Sequence, residues 1–309
     1  MDVEAAGYPD IDPWVVTWFS ENGQMMDQPE DYSPEILAMM RPAAAQPPAI
    51  DIGAITAEVI SDVPVWVYQP HQQATGVVVY FHGGAFLGGS RLLMHNVAEG
   101  LARASGAVVV SVDYRLAPED PYPAALDDCE SVTRWVVDHA DRFGVERTRV
   151  AVAGESAGGN LSAALTLRLR DRGGPMLAGQ VLLYPAVDGS GGSYPSRRDY
   201  DGLVLSARSY SRVAKMYAGS SELDGDPYMF PIQAGDLSGL PPAFVMVGGC
   251  DWLRDEGLAY SARLRAAGVA TEELICKGQP HGFLNLGFPA SAEVYAAVGP
   301  WLRTVLAGG

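Results

Sequence analysis

Residues 150–165 read VAVAGESAGGNLSAAL. The stretch opens on apolar residues, Val150 to Ala153, as a buried strand does. It then places one serine, Ser156, between Gly154 and Gly158, and continues as a helix from about residue 157. Strand, tight turn and helix around G-x-S-x-G make a nucleophile elbow. The turn holds the serine in a strained backbone region, and the two glycines let neighbouring segments come close. The hydroxyl then stands at the C-terminal edge of a sheet, where a helix N-terminus offers free N–H groups and partial positive charge.

Working outward, the same pattern recurs. VWVYQP (65–70), VVVYF (77–81), AVVVSVDY (107–114), RVAVAG (149–154), QVLLYPAV (180–187), AFVMVGG (243–249) and TEELICK (271–277) read as strands. Several are near-continuous β-branched runs, as in strands buried on both faces. Helical stretches lie between them, at His95–Ala104, Ala124–Ala140, Asn160–Arg170, Asp255–Ala267 and Ser291–Leu306. Such alternation predicts an α/β protein with a mostly parallel sheet covered on both sides.

Two regions break the alternation. The first fifty residues carry Trp14, Trp18, Phe19, Met25 and Met26, with short helices predicted near 11–20 and 34–40, and RPAAAQPPA (41–49) as a linker. Residues 188–226 are rich in Gly, Ser and Tyr, with one helix predicted near 206–218. Both read as pieces of a lid. The expected division is 1–50 and 188–226 for the cap, 51–187 and 227–309 for the core.

A serine hydroxyl needs a base at neutral pH. In a sheet of this kind the order along the chain is serine, acid, histidine. Of the five histidines only His281 follows Ser156, so it is the candidate base. AFVMVGG runs into Cys250 and Asp251, and Asp251 is the candidate acid, with Asp255 as runner-up. Asp255 and Glu256 otherwise read as first-turn acids of a helix. Its partner acid would hold the imidazole in one tautomer. After VVVYF comes His82-Gly83-Gly84-Ala85-Phe86. A glycine pair at a strand end leaves backbone N–H groups open, so Gly83, Gly84 and Ala85, with Ala157, are candidate oxyanion donors, and His82 braces the loop. Phe86, Trp14, Trp18, Met25 and Tyr184 are the candidate pocket residues. Arg115 and Glu119 are the candidate members of a partly buried ion pair.

Composition narrows the function class. A net charge of −16 repels nucleic acid and anionic membrane, so neither is expected as a partner. Three scattered cysteines fit no disulfide framework and no metal spacing, which predicts a reducing, cytoplasmic setting. The N-terminus MDVEAAGYPD has no apolar core of a signal peptide, and no apolar run is long enough to span or insert stably in a membrane.

With these residues in place, the sequence resembles the bacterial hormone-sensitive-lipase-like, or family IV, carboxylesterases of the α/β-hydrolase superfamily. FHGGAF (81–86), VDYRLAPE (112–119), YPAALDD (122–128), GESAGGNL (154–161), DLSGLPPAFVMVGGCDWLRDEG (236–257) and PHGF (280–283) carry the resemblance, in the family's order. It implies an α/β-hydrolase fold with an eight-stranded sheet and a two-piece helical cap. It implies Ser156 as nucleophile, Asp251 as acid and His281 as base, with Gly84, Ala85 and Ala157 as oxyanion donors and Gly83 in the same loop. It implies hydrolysis of short- to medium-chain acyl esters without metal or organic cofactor, in a chain that forms a homodimer. An amidase or deacetylase with the same triad is the near alternative. A small-ligand receptor on this fold is the distant one. Two positions depart from the family pattern: Ala85 stands where a third glycine is usual, and Glu155 where Asp or Thr precedes the serine.

Overall fold

Among the described residues the first elements are two short helices, α1 (Pro13–Asn22) and α2 (Pro34–Met39). Each opens on a side-chain cap followed by proline. Asp12 accepts from the Trp14 amide at 2.8 Å and Ser33 from that of Ile36 at 3.4 Å. The computed structural model describes residues 7–23, 32–44, 46–48, 52–189 and 191–308. Strands β1 (Gly53–Ile60), β2 (Val63–Pro70) and β3 (Val77–Phe81) come next, then α3 (His95–Ser105) and β4 (Val108–Val112). Helix α4 (Ala124–Asp138), β5 (Val150–Glu155), α5 (Ala157–Asp171) and β6 (Gln180–Leu183) continue the alternation. After α6 (Pro195–Asp199) and α7 (Ala207–Ala218), the chain returns to β7 (Ala243–Gly248), α8 (Arg254–Ala266), β8 (Thr271–Cys276) and α9 (Ser291–Leu306).

The eight strands form one sheet in the order β1-β2-β4-β3-β5-β6-β7-β8. Strand β2 runs antiparallel to both its neighbours, and the pairs from β4 to β8 are parallel. Strands β3, β4, β5, β6 and β7 are buried at every position, as their β-branched runs foretold. Their side chains divide by alternation. Val77, Val79 and Phe81 face the layer of α4 and α5, while Val78 and Tyr80 face the layer of α3 and α9.

Strand β1 is an addition to the sequence reading. GAITAEVI is an edge strand with most positions open to solvent, so it carries no apolar run. It is held instead by an eight-residue antiparallel register with β2. Ser61 and Asp62 close that hairpin with φ of 51° and 64°, the left-handed pair that a two-residue turn requires.

Arg115 and Glu119 do not pair with each other. Arg115 forks onto Asp128 at 2.7 Å, and Glu119 takes Arg41 at 2.9 Å. Arg41 also donates to the carbonyls of Leu87 and Ala117, both at 2.6 Å. The start of the proposed linker is therefore anchored beside the loop that follows β3, which one dimension of sequence does not reveal.

Candidate active site

The geometry of Ser156 follows from its turn. Its φ of 57° and ψ of −116° lie where non-glycine residues are rare. A Cβ on Gly154 would strike the Gly158 carbonyl, and one on Gly158 would strike the backbone of Phe81. Both glycines are thus required by close approach of β5, α5 and β3. Helix α5 starts at once after the serine without a side-chain cap. Its first N–H groups have no partner within the helix, so they face whatever sits above Ser156.

Three strand ends bring the remaining groups to the same edge. Asp251 follows β7, His281 follows β8, and the Gly83–Ala85 loop follows β3. The Ser156 Oγ lies 2.9 Å from His281 Nε2, and His281 Nδ1 lies 2.9 Å from Asp251 Oδ2. With Nδ1 donating to the carboxylate, Nε2 is the acceptor for the serine hydroxyl. The other oxygen of Asp251 accepts from the Leu253 amide at 2.8 Å, which fixes the carboxylate. Asp251 is fully buried and His281 nearly so. Burial pushes the imidazole pKa down, but the Asp251 carboxylate outweighs it and holds the value above that of an ordinary histidine. Asp255, the runner-up, points elsewhere: it accepts from the Ser196 amide at 2.8 Å and pairs with Arg254.

The loop after β3 is strained and braced. Gly84 has φ of 121°, Ala85 59° and Phe86 60°. The Gly84 carbonyl accepts from Leu87 and Gly88, at 3.1 and 2.8 Å, closing the turn. Among the described residues, the amides of Gly84, Ala85 and Ala157 have no protein acceptor. His82 stacks on Tyr114 at 4.3 Å, and the Tyr114 hydroxyl donates to the His82 carbonyl at 2.6 Å. Burial pushes the His82 pKa down, so this ring is a neutral brace. The amide of Gly83 is spent on the Glu155 carboxylate, and Asn285 donates to the same group at 3.3 Å. Glu155 is fully buried, and burial raises its pKa to about 7 against those hydrogen bonds and the neighbouring His281. It ties the elbow, the oxyanion loop and the segment after His281 together. A Cβ on Gly83 would meet its carboxylate, so a side chain at position 83 would displace the Glu155 head group.

A cavity of about 30 Å³ opens beside Ser156, walled by Ala85, Phe86, Ala186, Leu205, Tyr210 and Val213. Volume alone does not locate the chemistry. A groove of about 500 Å³ lies elsewhere, beside His71, Arg103 and Arg303, but its Ser105 hydroxyl is committed to the Leu101 carbonyl at 2.6 Å.

Residues 78–285 match the family described as having an alpha/beta hydrolase fold. The chain belongs to the α/β-hydrolase family, among its hormone-sensitive-lipase-like carboxylesterases. The chain is 39% identical to esterase LipI of Mycobacterium tuberculosis over 242 residues, 77% of this chain and 76% of that one. It is 32% identical to an ethyl acetate hydrolase of Pseudomonas putida over 260 residues, 82% and 81% of the two chains. A hyperthermophilic esterase from Pyrobaculum calidifontis superposes with a TM-score of 0.85, at 34% identity, covering 96% of this chain and 99% of that one.

The pocket residues chosen from sequence stand unevenly around the cavity. Phe86 lines the cavity and stacks on Tyr217 at 3.7 Å. Tyr184 is buried under the site, its ring 4.9 Å from that of His281. Trp14 and Trp18 pack instead on Phe288, at 4.8 and 5.0 Å, and do not reach the cavity. Met25 lies outside the described residues. Sequence reasoning missed Ser209, Tyr210 and Val213 of α7, which roof the cavity. Their i, i+1, i+4 spacing on one helix was the available signal, but nothing in it said which way the helix faces. Glu256 is also more than a first-turn acid: it is fully buried and paired with Arg197.

Proposed function

We propose that this α/β-hydrolase cleaves short- to medium-chain carboxylic esters through an acyl-enzyme on Ser156. The observation that carries the reading is the relay at one sheet edge, in which Ser156 Oγ and Asp251 Oδ2 each lie 2.9 Å from one nitrogen of His281. The Ser156 oxygen attacks the ester carbonyl as its proton passes to His281 Nε2. The developing oxyanion is taken by the amides of Gly84, Ala85 and Ala157, each such donor worth about 2.7–4 kcal/mol in the barrier. The alcohol leaves with the proton from His281. Water then attacks the acyl-enzyme by the same path, giving the acid and free Ser156. Asp251 keeps the imidazole in its tautomer and stabilises the imidazolium. No step calls on a metal or organic cofactor, and among the described residues no cluster suited to a metal occurs.

Residues 188–226 with the N-terminal segment form the proposed cap. The support is α7, whose Ser209, Tyr210 and Val213 sit over Ser156. We place the chain in the cytoplasm, as the three free buried cysteines suggest, and as a homodimer, with the open edge of β8 and its exposed Ile275 as the contact. Among the described residues no helix is long and apolar enough to cross a membrane.

The test is a panel of p-nitrophenyl esters from acetate to palmitate, run beside a p-nitroanilide. Turnover of the short esters that disappears in Ser156→Ala supports the reading. Full activity in that variant removes Ser156 as nucleophile. Faster anilide cleavage favours the amidase, and no turnover with ligand-dependent thermal shifts favours a receptor.

A further inference from the structure

The roof of the cavity hangs from a buried cation. Arg197 on α6 has a side chain only 9% exposed, and its partner Glu256 on α8 is 0% exposed. The guanidinium donates to Glu256 Oε2 at 2.5 Å, to the Asp188 carbonyl at 2.7 Å and to the Gly192 carbonyl at 2.8 Å. It also lies over three rings, 4.5 Å from Trp252, 4.9 Å from Tyr194 and 5.4 Å from Tyr210. Burial opposes its charge, but Glu256 outweighs burial and holds the arginine protonated.

This cluster reaches the cavity from two sides. The second oxygen of Glu256 accepts from the amides of Val187 and Asp188, at 2.9 and 3.1 Å, directly after Ala186. The Tyr210 hydroxyl donates at 3.1 Å to the same Asp188 carbonyl that Arg197 holds. Ala186 and Tyr210 both line the cavity. A buried ion pair is weak evidence for stability, because well-packed apolar side chains often serve as well. Here its visible consequence is geometric.

We propose that Arg197 is a specificity-determining positioning residue: by clamping the Asp188 carbonyl, Glu256 and the Tyr210 ring together, it sets the gap between roof and wall and so the acyl length admitted. The proposal rests on the ester-hydrolase reading. Arg197 touches neither Ser156 nor the relay, so it acts through Tyr210 and Ala186 alone.

The experiment uses the full chain with Arg197→Met and Glu256→Gln combined, so that neither member of the pair is left buried without the other. Arg197→Lys is the second variant, keeping the charge but losing the planar fork. kcat and KM are measured on p-nitrophenyl acetate, butyrate and octanoate, and hydrogen exchange is followed over residues 206–218. In the double variant the octanoate-to-acetate ratio of kcat/KM rises about tenfold, mainly through KM. Amides of α7 exchange about fivefold faster or more, and Arg197→Lys falls between. An equal loss on all three esters with unchanged exchange overturns the proposal and leaves a purely structural pair. A wild-type protein inert toward every ester removes the ester reading and the acyl-length claim with it, while the exchange arm still decides whether Arg197 pins α7.

Discussion

The relay beside the Ser156 cavity, the floor of the site, stands on strand ends. Ser156 leaves β5, Asp251 follows β7, and His281 follows β8, each held by backbone whose strands are buried or paired within the sheet. The roof is made of α7, which belongs to no repeating layer and is tied down at one end by Tyr210 and Arg197 and at the other by Tyr217, whose ring stacks on Phe86 and whose carbonyl accepts from the Tyr122 amide. The floor therefore inherits its precision from the sheet and tolerates little change. The roof can be altered residue by residue, which makes it the place where substrates are distinguished.

Changes to the floor break this contrast most sharply. Ser156→Ala is expected to lower kcat by roughly six orders of magnitude, with KM little changed, as measured on p-nitrophenyl butyrate. Asp251→Asn is expected to cost about 10⁴-fold in kcat by misplacing the tautomer. Asp255→Asn, which touches Ser196 and Arg254 rather than His281, is the control and stays within a few-fold of wild type. Parity between the two aspartate variants would contradict the assignment of the acid.

The roof gives smaller, selective effects. Val213→Ala widens the cavity and is expected to favour hexanoate over acetate by about tenfold in kcat/KM, with a modest fall in melting temperature. A uniform change across chain lengths would show that the roof does not select.

Acidity separates the two functions of the floor itself. Glu155 has a folded pKa raised to about 7 from a usual 4.5, and that of His281 is raised above 6.5. For each group the folded state binds protons more tightly than the unfolded state. The stability linked to both is therefore present at low pH and is lost as pH rises through the folded values. Activity moves the other way, because His281 must be neutral to accept the serine proton. Between pH 5 and 8 the melting temperature is expected to fall by a few degrees while kcat/KM rises. Glu155→Gln should flatten the melting curve's dependence on pH and move the activity limb to lower pH, because the Glu155 charge helps to raise the His281 pKa. A melting temperature that climbs with pH would refute this account.

Trp14→Ala is the smallest change. The ring rests on Phe288 and is 45% exposed, so kcat/KM is expected to stay within about twofold. A large loss would return the N-terminal helix to the pocket.

Much of the floor was legible in the sequence because each element carries its own signal. The G-x-S-x-G turn, the apolar runs and the order of Ser156, Asp251 and His281 all lie in one dimension. Strand β1 was not, since an exposed edge strand needs no apolar pattern and is recognised by its ladder with β2. The Trp14 and Trp18 pocket assignment failed for a related reason. An aromatic helix must bury a face, but its sequence does not say against what, and here the answer is Phe288.

The sequence by itself determined the sheet, the elbow and which histidine could serve Ser156, because backbone geometry and chain order admit few alternatives. Only the tertiary structure decided that Tyr210 and Val213 roof the cavity, that Glu155 binds the amide of Gly83, and that Arg197 is buried against Glu256. Those outcomes depend on side-chain directions across distant segments, where many pairings are sterically open until the packed interior selects one.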